Sequence, residues 1–371
     1  MGGVYYILNI IKTLDSLDEK DKPHIFLFYN QELADFVQTV NYPYLTAVLW
    51  RFPGAYKGTL ESWLTGKNRF VNDIVQKYPL DGLFPVMDHP VAAQRLSRHN
   101  IRLVSWYADL QHRHYPEFFS GKQRFLRELR LKLMLKNTEH LVVSSWDVAA
   151  DFARFYRLKA SLNVHVYHFV SVIEPFDGDD IHSLRNRYGL PEDYFIISNQ
   201  FHKHKNHRVV LNALTRLMKR GTPIHLAITG KVPNDENSTY FAELKTIINE
   251  HDMHELVHFL GVIPRHHQLC LMKYSRAVIQ PSLFEGWSTV IEDAKSLQVP
   301  VIASDIPVNR EQLGDAGVFF DPHRDDRLAD VVEVCSRKRS AGMLYEPYED
   351  RVKAAANRFI EIFRDPKAVL K

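Results

Sequence analysis

Short runs of β-branched and aromatic residues alternate with helical patterns along most of this chain. That alternation constrains the fold more than any other feature. The runs are HIFLFY (24–29), LTAVLW (45–50), GLFPV (82–86), IRLVSW (101–106) and HLVVSS (140–145), then YFIISN (194–199), IHLAITG (224–230), VHFLG (257–261), AVIQPS (277–282) and VPVIAS (299–304). Near-continuous apolar runs of this length are what strands buried on both faces of a parallel sheet look like. Between them lie amphipathic segments such as 206–220, where Val209, Val210, Ala213, Leu214 and Leu217 share one face. Repeated strand–helix alternation predicts an α/β, doubly wound architecture.

The chain has 371 residues, too many for one ordinary core, so two domains are expected. The break falls in FVSVIEPFDGDDIHSLRNRYGL, which mixes Pro, Gly and acidic residues before a strand restarts near Tyr194. The reading is residues 1–172 as an N-terminal Rossmann-like domain, 173–344 as a C-terminal one, and 345–371 as a closing helix. Two open sheets joined this way leave a cleft, and ligands sit outside the carboxyl ends of the strands. The start, MGGVYYILNIIKTL, is a Gly-rich turn running into a helix with no strand before it. A Rossmann-type unit feeds that turn from a strand, so the first strand is expected to be missing.

Charge and cysteine usage exclude several classes. The formal net charge is only +3, which argues against a dedicated nucleic-acid partner. The two cysteines, Cys270 and Cys335, have no paired spacing, so a disulfide framework and a thiolate metal site are not expected and a reducing, cytoplasmic setting fits. No apolar run approaches the roughly 18 residues of a membrane span, and the N-terminus lacks a basic signal-peptide region. Among the 19 histidines, the cluster His202, His204 and His207 invites a metal. Lys203 and Lys205 would repel a cation there, and no carboxylate is beside the rings to orient them. No metal is expected.

The chemistry concentrates in PSLFEGWSTVIEDAKSLQVPVIASDIP. A strand ends, a loop with Glu285 and Gly286 follows, and a helix begins near Ser288 or Thr289. Free N–H groups at a helix start bind phosphate, and either hydroxyl could cap the helix. Gly286 lets backbone approach a ligand, with Trp287 beside it. Glu285 can accept sugar hydroxyls, and Glu292 or Asp293 is placed to hold a ribose diol. Each feature alone is commonplace: a Glu-Gly turn is usually just a turn, and an EDA triplet is usually a solvated face. Their joint position after successive strands of one α/β domain gives them meaning.

This stretch resembles the donor-binding motif of group 1 (family 4) retaining glycosyltransferases of the GT-B fold, in which two Rossmann-like domains face each other across a cleft. The family carries a Glu, seven intervening residues and a second Glu. Here Glu285 opens the motif, Asp293 takes the second place and Glu292 stands one position early. The resemblance extends through FLGVIP, PVIASDIPVNREQ and the terminal helix. It implies that Glu285 contacts the donor sugar and that Gly286, Trp287, Ser288 and Thr289 bind sugar or phosphate. A second family motif, an Arg followed five residues later by a Lys, clamps the diphosphate. In SNQFHKHKNH the Lys is Lys205, while Gln200 stands in place of the Arg, and Lys203 is a second cation nearby. Without that charge, transition-state stabilisation leans on Lys205.

In the first half, WYADLQHRHYPEFFS follows a strand, and the family places there a His facing the donor sugar. His112 is the candidate and His114 the second, with a satisfied loop histidine as the ordinary alternative. Gly2 and Gly3 match the family's N-terminal turn near phosphate and acceptor. Asp88 and His89 are further acceptor candidates. FLRELRLKLMLK is basic on one side and apolar on the other, so it fits anionic headgroups at the inner face of a membrane as well as ordinary packing.

The resemblance therefore implies a metal-independent transferase, with no cofactor beyond its substrate. It would move a mannose-like or glucose-like hexose from a nucleoside-diphosphate sugar to a glycan or lipid-linked acceptor, in polysaccharide or glycolipid assembly. The alternatives are a sugar-nucleotide epimerase or phosphorylase on the same fold, and a non-catalytic protein that binds the sugar nucleotide. The last is motivated by Gln200 and the missing strand.

Overall fold

All strand pairings found are parallel, as unbroken apolar runs require. The computed structural model of the chain describes residues 2–51, 69–86, 101–173, 176, 180–233, 239–337 and 342–364. It divides into two units, Met1–Phe169 with Val352–Lys371, and Val170–Arg351.

In the first unit β1 (Ile25–Tyr29) pairs with β2 (Leu45–Leu49). A second sheet runs β3 (Gly82–Leu83), β4 (Arg102–Tyr107), β5 (His140–Val143) and β6 (Asn163–Val166) in that order. The helix Gly2–Leu14 precedes β1, with Gly2 and Gly3 in its first turn. It buries Tyr6, Leu8, Ile10, Ile11 and Leu14, spacings that follow one helical face. Tyr6 stacks on Trp106 of β4 with centroids 4.4 Å apart. The helix Tyr348–Arg364 returns to this unit from Val352 onward. Its Phe359 meets Tyr167 at 5.4 Å, and the Arg102 guanidinium donates to the Ile362 carbonyl at 2.8 Å.

The second unit is a six-stranded sheet of β7 (Phe195–Ser198), β8 (Leu226–Thr229), β9 (Val257–Gly261), β10 (Val278–Gln280), β11 (Val301–Ser304) and β12 (Val318–Phe320). Alternate residues on each strand feed opposite layers, because side chains of a strand change face at every step. Phe195, Ile197, Leu226, Ile228, Ile279 and Ile302 enter one layer, under the helices His207–Lys219, Thr239–Glu250 and Asp325–Arg337. Ile196, Ala227, Val278, Val301 and Ala303 enter the other, under Ile181–Tyr188, Arg265–Lys273 and Thr289–Ser296.

Each run named from the sequence holds a strand. β6 and β12 were not among them, because NVHV carries a histidine and a terminal Asn, and VFF is only three residues long. Patterns that short give no periodicity to read.

Candidate functional site

The strand order β12-β11-β10-β7-β8-β9 fixes where a ligand can sit in the second unit. The chain runs outward from β7 through β8 to β9, then returns to the other side of β7 as β10. Their carboxyl ends diverge at that switch point, which opens a crevice between the two following loops. Those loops carry Gln200, Lys203 and Lys205 on one side and Glu285 to Thr289 on the other. The loop after β7 and the loop after β10 thus meet at one place.

Lys205 Nζ lies 2.5 Å from Glu285 Oε1. The Leu283 N–H donates to the His204 carbonyl at 2.8 Å, joining the two loops through backbone as well. Lys205 closes a short 3₁₀ turn, Lys203–Lys205, and Asn206 then adopts the left-handed conformation at φ 54° to enter the helix His207–Lys219. Asn tolerates that region, and its side chain donates to the Pro322 carbonyl at 2.9 Å. Lys203 is exposed, as is Gln200, whose Oε1 accepts from the Lys231 N–H at 3.2 Å. The loop after β8 comes this close because residue 230 is glycine: a Cβ there would stand 2.4 Å from the Asn199 carbonyl oxygen, at φ +146°.

Beneath the ion pair is a layer of buried amides that the sequence reading did not select. Asn199 Nδ2 donates to Gln280 Oε1 at 2.9 Å, and Gln280 Nε2 donates to Glu285 Oε1 at 2.8 Å and to Ser282 Oγ at 3.1 Å. A signal was present: Gln280 and Asn199 are polar residues at the ends of otherwise apolar strands, and buried polar side chains need partners.

The helix after Glu285 is Thr289–Ser296, capped by Ser288, whose Oγ accepts from the Ile291 N–H at 3.3 Å. Gln312 brackets the cap, accepting from Ser288 N at 3.1 Å and donating to Ser288 O at 2.8 Å. Helix geometry leaves the N–H groups of Thr289 and Val290 without an intrahelical acceptor. Thr289 is exposed, Trp287 half-buried and Gly286 buried.

Glu292 and Asp293 are placed differently from Glu285. Glu292 is 1% exposed and is held by Arg351, by Gln312 Nε2 at 2.8 Å and by Lys295 at 3.4 Å. Asp293 is 2% exposed and takes both guanidinium N–H groups of Arg265, with Arg265 Nη1 at 2.7 Å from Oδ2, and the Ser171 hydroxyl at 2.5 Å. Both oxygens of Asp293 are thus engaged within this unit.

Burial, with Lys205 nearby, pushes His204 down to about 4 and His207 to about 3, and lowers His202 as well. The rings beside the ion pair are neutral near pH 7. In the first unit, His112 sits in the turn Gln111–His114. It is 3% exposed, its Nε2 lies 2.8 Å from Glu128 Oε1, and burial lowers its pKa despite that carboxylate. Its Nδ1 is buried without a hydrogen-bond partner among the described residues. His114 Nε2 lies 2.5 Å from Asp151 Oδ2. Asp88 and His89 lie outside the described residues.

Residues 180–358 match the family described as glycosyl transferases group 1. The O-antigen chain mannosyltransferase RfbU of Salmonella typhimurium is 23% identical over 215 residues, 58% of this chain and 55% of that protein. The O-antigen biosynthesis glycosyltransferase WclY of Escherichia coli is 23% identical over 157 residues, 42% and 41% of the two chains. The match thus spans about half the length of these curated relatives. Among solved structures, Anabaena Alr3699/HepE in complex with UDP has a TM-score of 0.66 at 19% identity, covering 98% of this chain and 94% of that one. A glycosyltransferase from Rickettsia africae gives 0.66 at 13% identity, covering 96% and 92%. Residues 180–358 are similar to the group 1 glycosyl transferases, and the fold of the chain is that of the GT-B glycosyltransferases.

Proposed function

We propose that this protein transfers a hexose from a nucleoside-diphosphate sugar to an acceptor hydroxyl, with retention at the anomeric carbon, in the assembly of a polysaccharide or glycolipid. The observation that carries this reading is the meeting of Lys205 and Glu285, 2.5 Å apart, at the switch point of the second unit. A carboxylate for sugar hydroxyls, a cation for phosphate and the start of a capped helix come together there. The relatives named as O-antigen transferases and the neighbour bound to UDP support the same substrate class.

In this mechanism Lys205 turns from Glu285 to the diphosphate, and the Thr289 and Val290 amides receive charge as it develops on the leaving phosphate. Glu285, released from Lys205, takes the sugar hydroxyls. His112 remains the candidate for a donor-sugar contact, and Gly2 and Gly3 for the acceptor side. The acceptor is a glycan or lipid-linked hydroxyl. Its proton is assigned to the leaving phosphate, because no carboxylate pair suited to general acid–base work stands beside Glu285 among the described residues. We assign phosphate neutralisation to Lys205 and the helix amides, without a metal. Peripheral contact with a membrane falls to the helix Gly121–Asn137, which leaves Phe125 66% and Leu126 41% exposed amid Lys122, Arg124 and Arg127.

The test is a transfer assay with UDP-glucose and GDP-mannose, reading nucleoside-diphosphate release and a labelled product. Wild-type protein is expected to turn over at least one donor, and Glu285→Ala to lose activity by about 10²-fold or more while keeping its fold. Unchanged turnover in Glu285→Ala would overturn the assignment. A second reading, a protein that binds the sugar nucleotide without transferring it, is favoured by Gln200 standing where the family has a cation. Donor binding without turnover in the same assay would select it.

A further inference from the structure

The cation and the amide that hold Glu285 converge on one of its oxygens. Lys205 Nζ at 2.5 Å and Gln280 Nε2 at 2.8 Å each donate to Oε1, and no hydrogen bond to Oε2 is made among the described residues. When a phosphate draws Lys205 away, Gln280 is the donor left on the carboxylate. Gln280 is 0% exposed and Asn199 5%, so neither is placed to touch a ligand directly.

The direction of the Gln280 amide is itself determined. Asn199 donates to Gln280 Oε1, which turns Nε2 toward Glu285 and Ser282. The flipped amide would set its oxygen against a carboxylate and its NH₂ against the Asn199 NH₂, two like contacts of a buried amide. Asn199 directly follows β7 and Gln280 ends β10, so the relay bridges the same pair of strands that opens the crevice.

We infer that Gln280 is a positioning residue for Glu285, and that Asn199 sets the direction of its amide. The pair keeps the carboxylate in place for the sugar after the Lys205–Glu285 ion pair opens. This rests on the donor-site reading proposed above, and deepens it by naming what holds the sugar-binding group.

A double-mutant cycle on the full chain tests it, with binding of UDP-glucose and GDP-mannose read by titration calorimetry. The variants are Gln280→Leu, Glu285→Ala and the two combined, each checked by thermal unfolding. Gln280→Met takes the place of Gln280→Leu if the latter does not fold. Gln280→Leu is expected to weaken binding about tenfold in the wild-type background and by less than twofold in the Glu285→Ala background. A merely structural role would give the same loss in both. A second arm uses Asn199: the isosteric Asn199→Asp should weaken binding more than Asn199→Ala, because an acceptor at 199 flips the Gln280 amide against Glu285. Equal losses in both backgrounds, or Asn199→Asp milder than Asn199→Ala, would overturn the inference while leaving the donor site standing. Wild-type protein binding neither probe would instead overturn the donor reading on which it rests.

Discussion

Three carboxylates within nine positions, Glu285, Glu292 and Asp293, look alike in the sequence and have different surroundings in the fold. Glu285 has one oxygen engaged by Lys205 and Gln280. Glu292 and Asp293 are enclosed by arginines that no local pattern reveals: Arg351 is 59 residues away and Arg265 is 28 residues away. Burying a carboxylate without its counter-charge is costly, so removing one partner is strongly destabilising. Arg351→Met should therefore lower the unfolding free energy by about 1–3 kcal/mol in urea, because Glu292 loses one buried partner while Lys295 remains as counter-charge. A loss under about 1 kcal/mol would mean that Glu292 does not need that pair in the native state. The spacing of Glu285, Lys205 and the helix start was legible because it is local to two loops. The occupancy of the two later carboxylates was not, because it depends on Arg265 and Arg351, which are remote in the sequence.

Among elements, the strands were legible wherever an apolar run stood out from its flanks; β6 mixes Asn163 and His165 with its two valines, and β12 is only three residues long. The helix after Glu285 was also legible, its start fixed by the Ser288 cap. Ser288→Ala removes the acceptor for the Ile291 N–H and should cost about 1 kcal/mol, measured as a drop in the denaturation midpoint. The turn after β7 is a sharper case. Its histidines invited a metal reading from the sequence, and in the fold His207 is fully buried against Phe201 with centroids 4.9 Å apart. With His207 lowered to about 3 and His204 to about 4, the unfolded chain binds their protons near pH 6.5 while the folded one does not. Stability is then full above about pH 6.5 and falls as pH drops toward 4. His207→Phe keeps the ring and removes the titration. It should flatten the pH 6.5 to 4 slope of unfolding free energy by up to about 1.4 kcal/mol per pH unit. An unchanged slope would show that His207 takes up its proton without unfolding.

For the molecule as a whole, the sequence pattern and the fold agree on the doubly wound class, and the family match falls on the unit that holds Lys205 and Glu285. Less of the first unit's role was legible. Its candidate His112 is tied to Glu128 inside its own unit. The central claim is that the switch point of the second unit binds a nucleoside-diphosphate sugar through Lys205 and Glu285. A ligand that binds only the folded state raises the melting temperature by mass action, whatever the acceptor is. The most direct measurement is a thermal melt of wild-type and Glu285→Ala protein across a panel of UDP- and GDP-sugars. A concentration-dependent rise in Tm is expected for the wild type with at least one sugar nucleotide, and a much smaller rise for the variant. No rise with any of them, or an equal rise in both proteins, would contradict it.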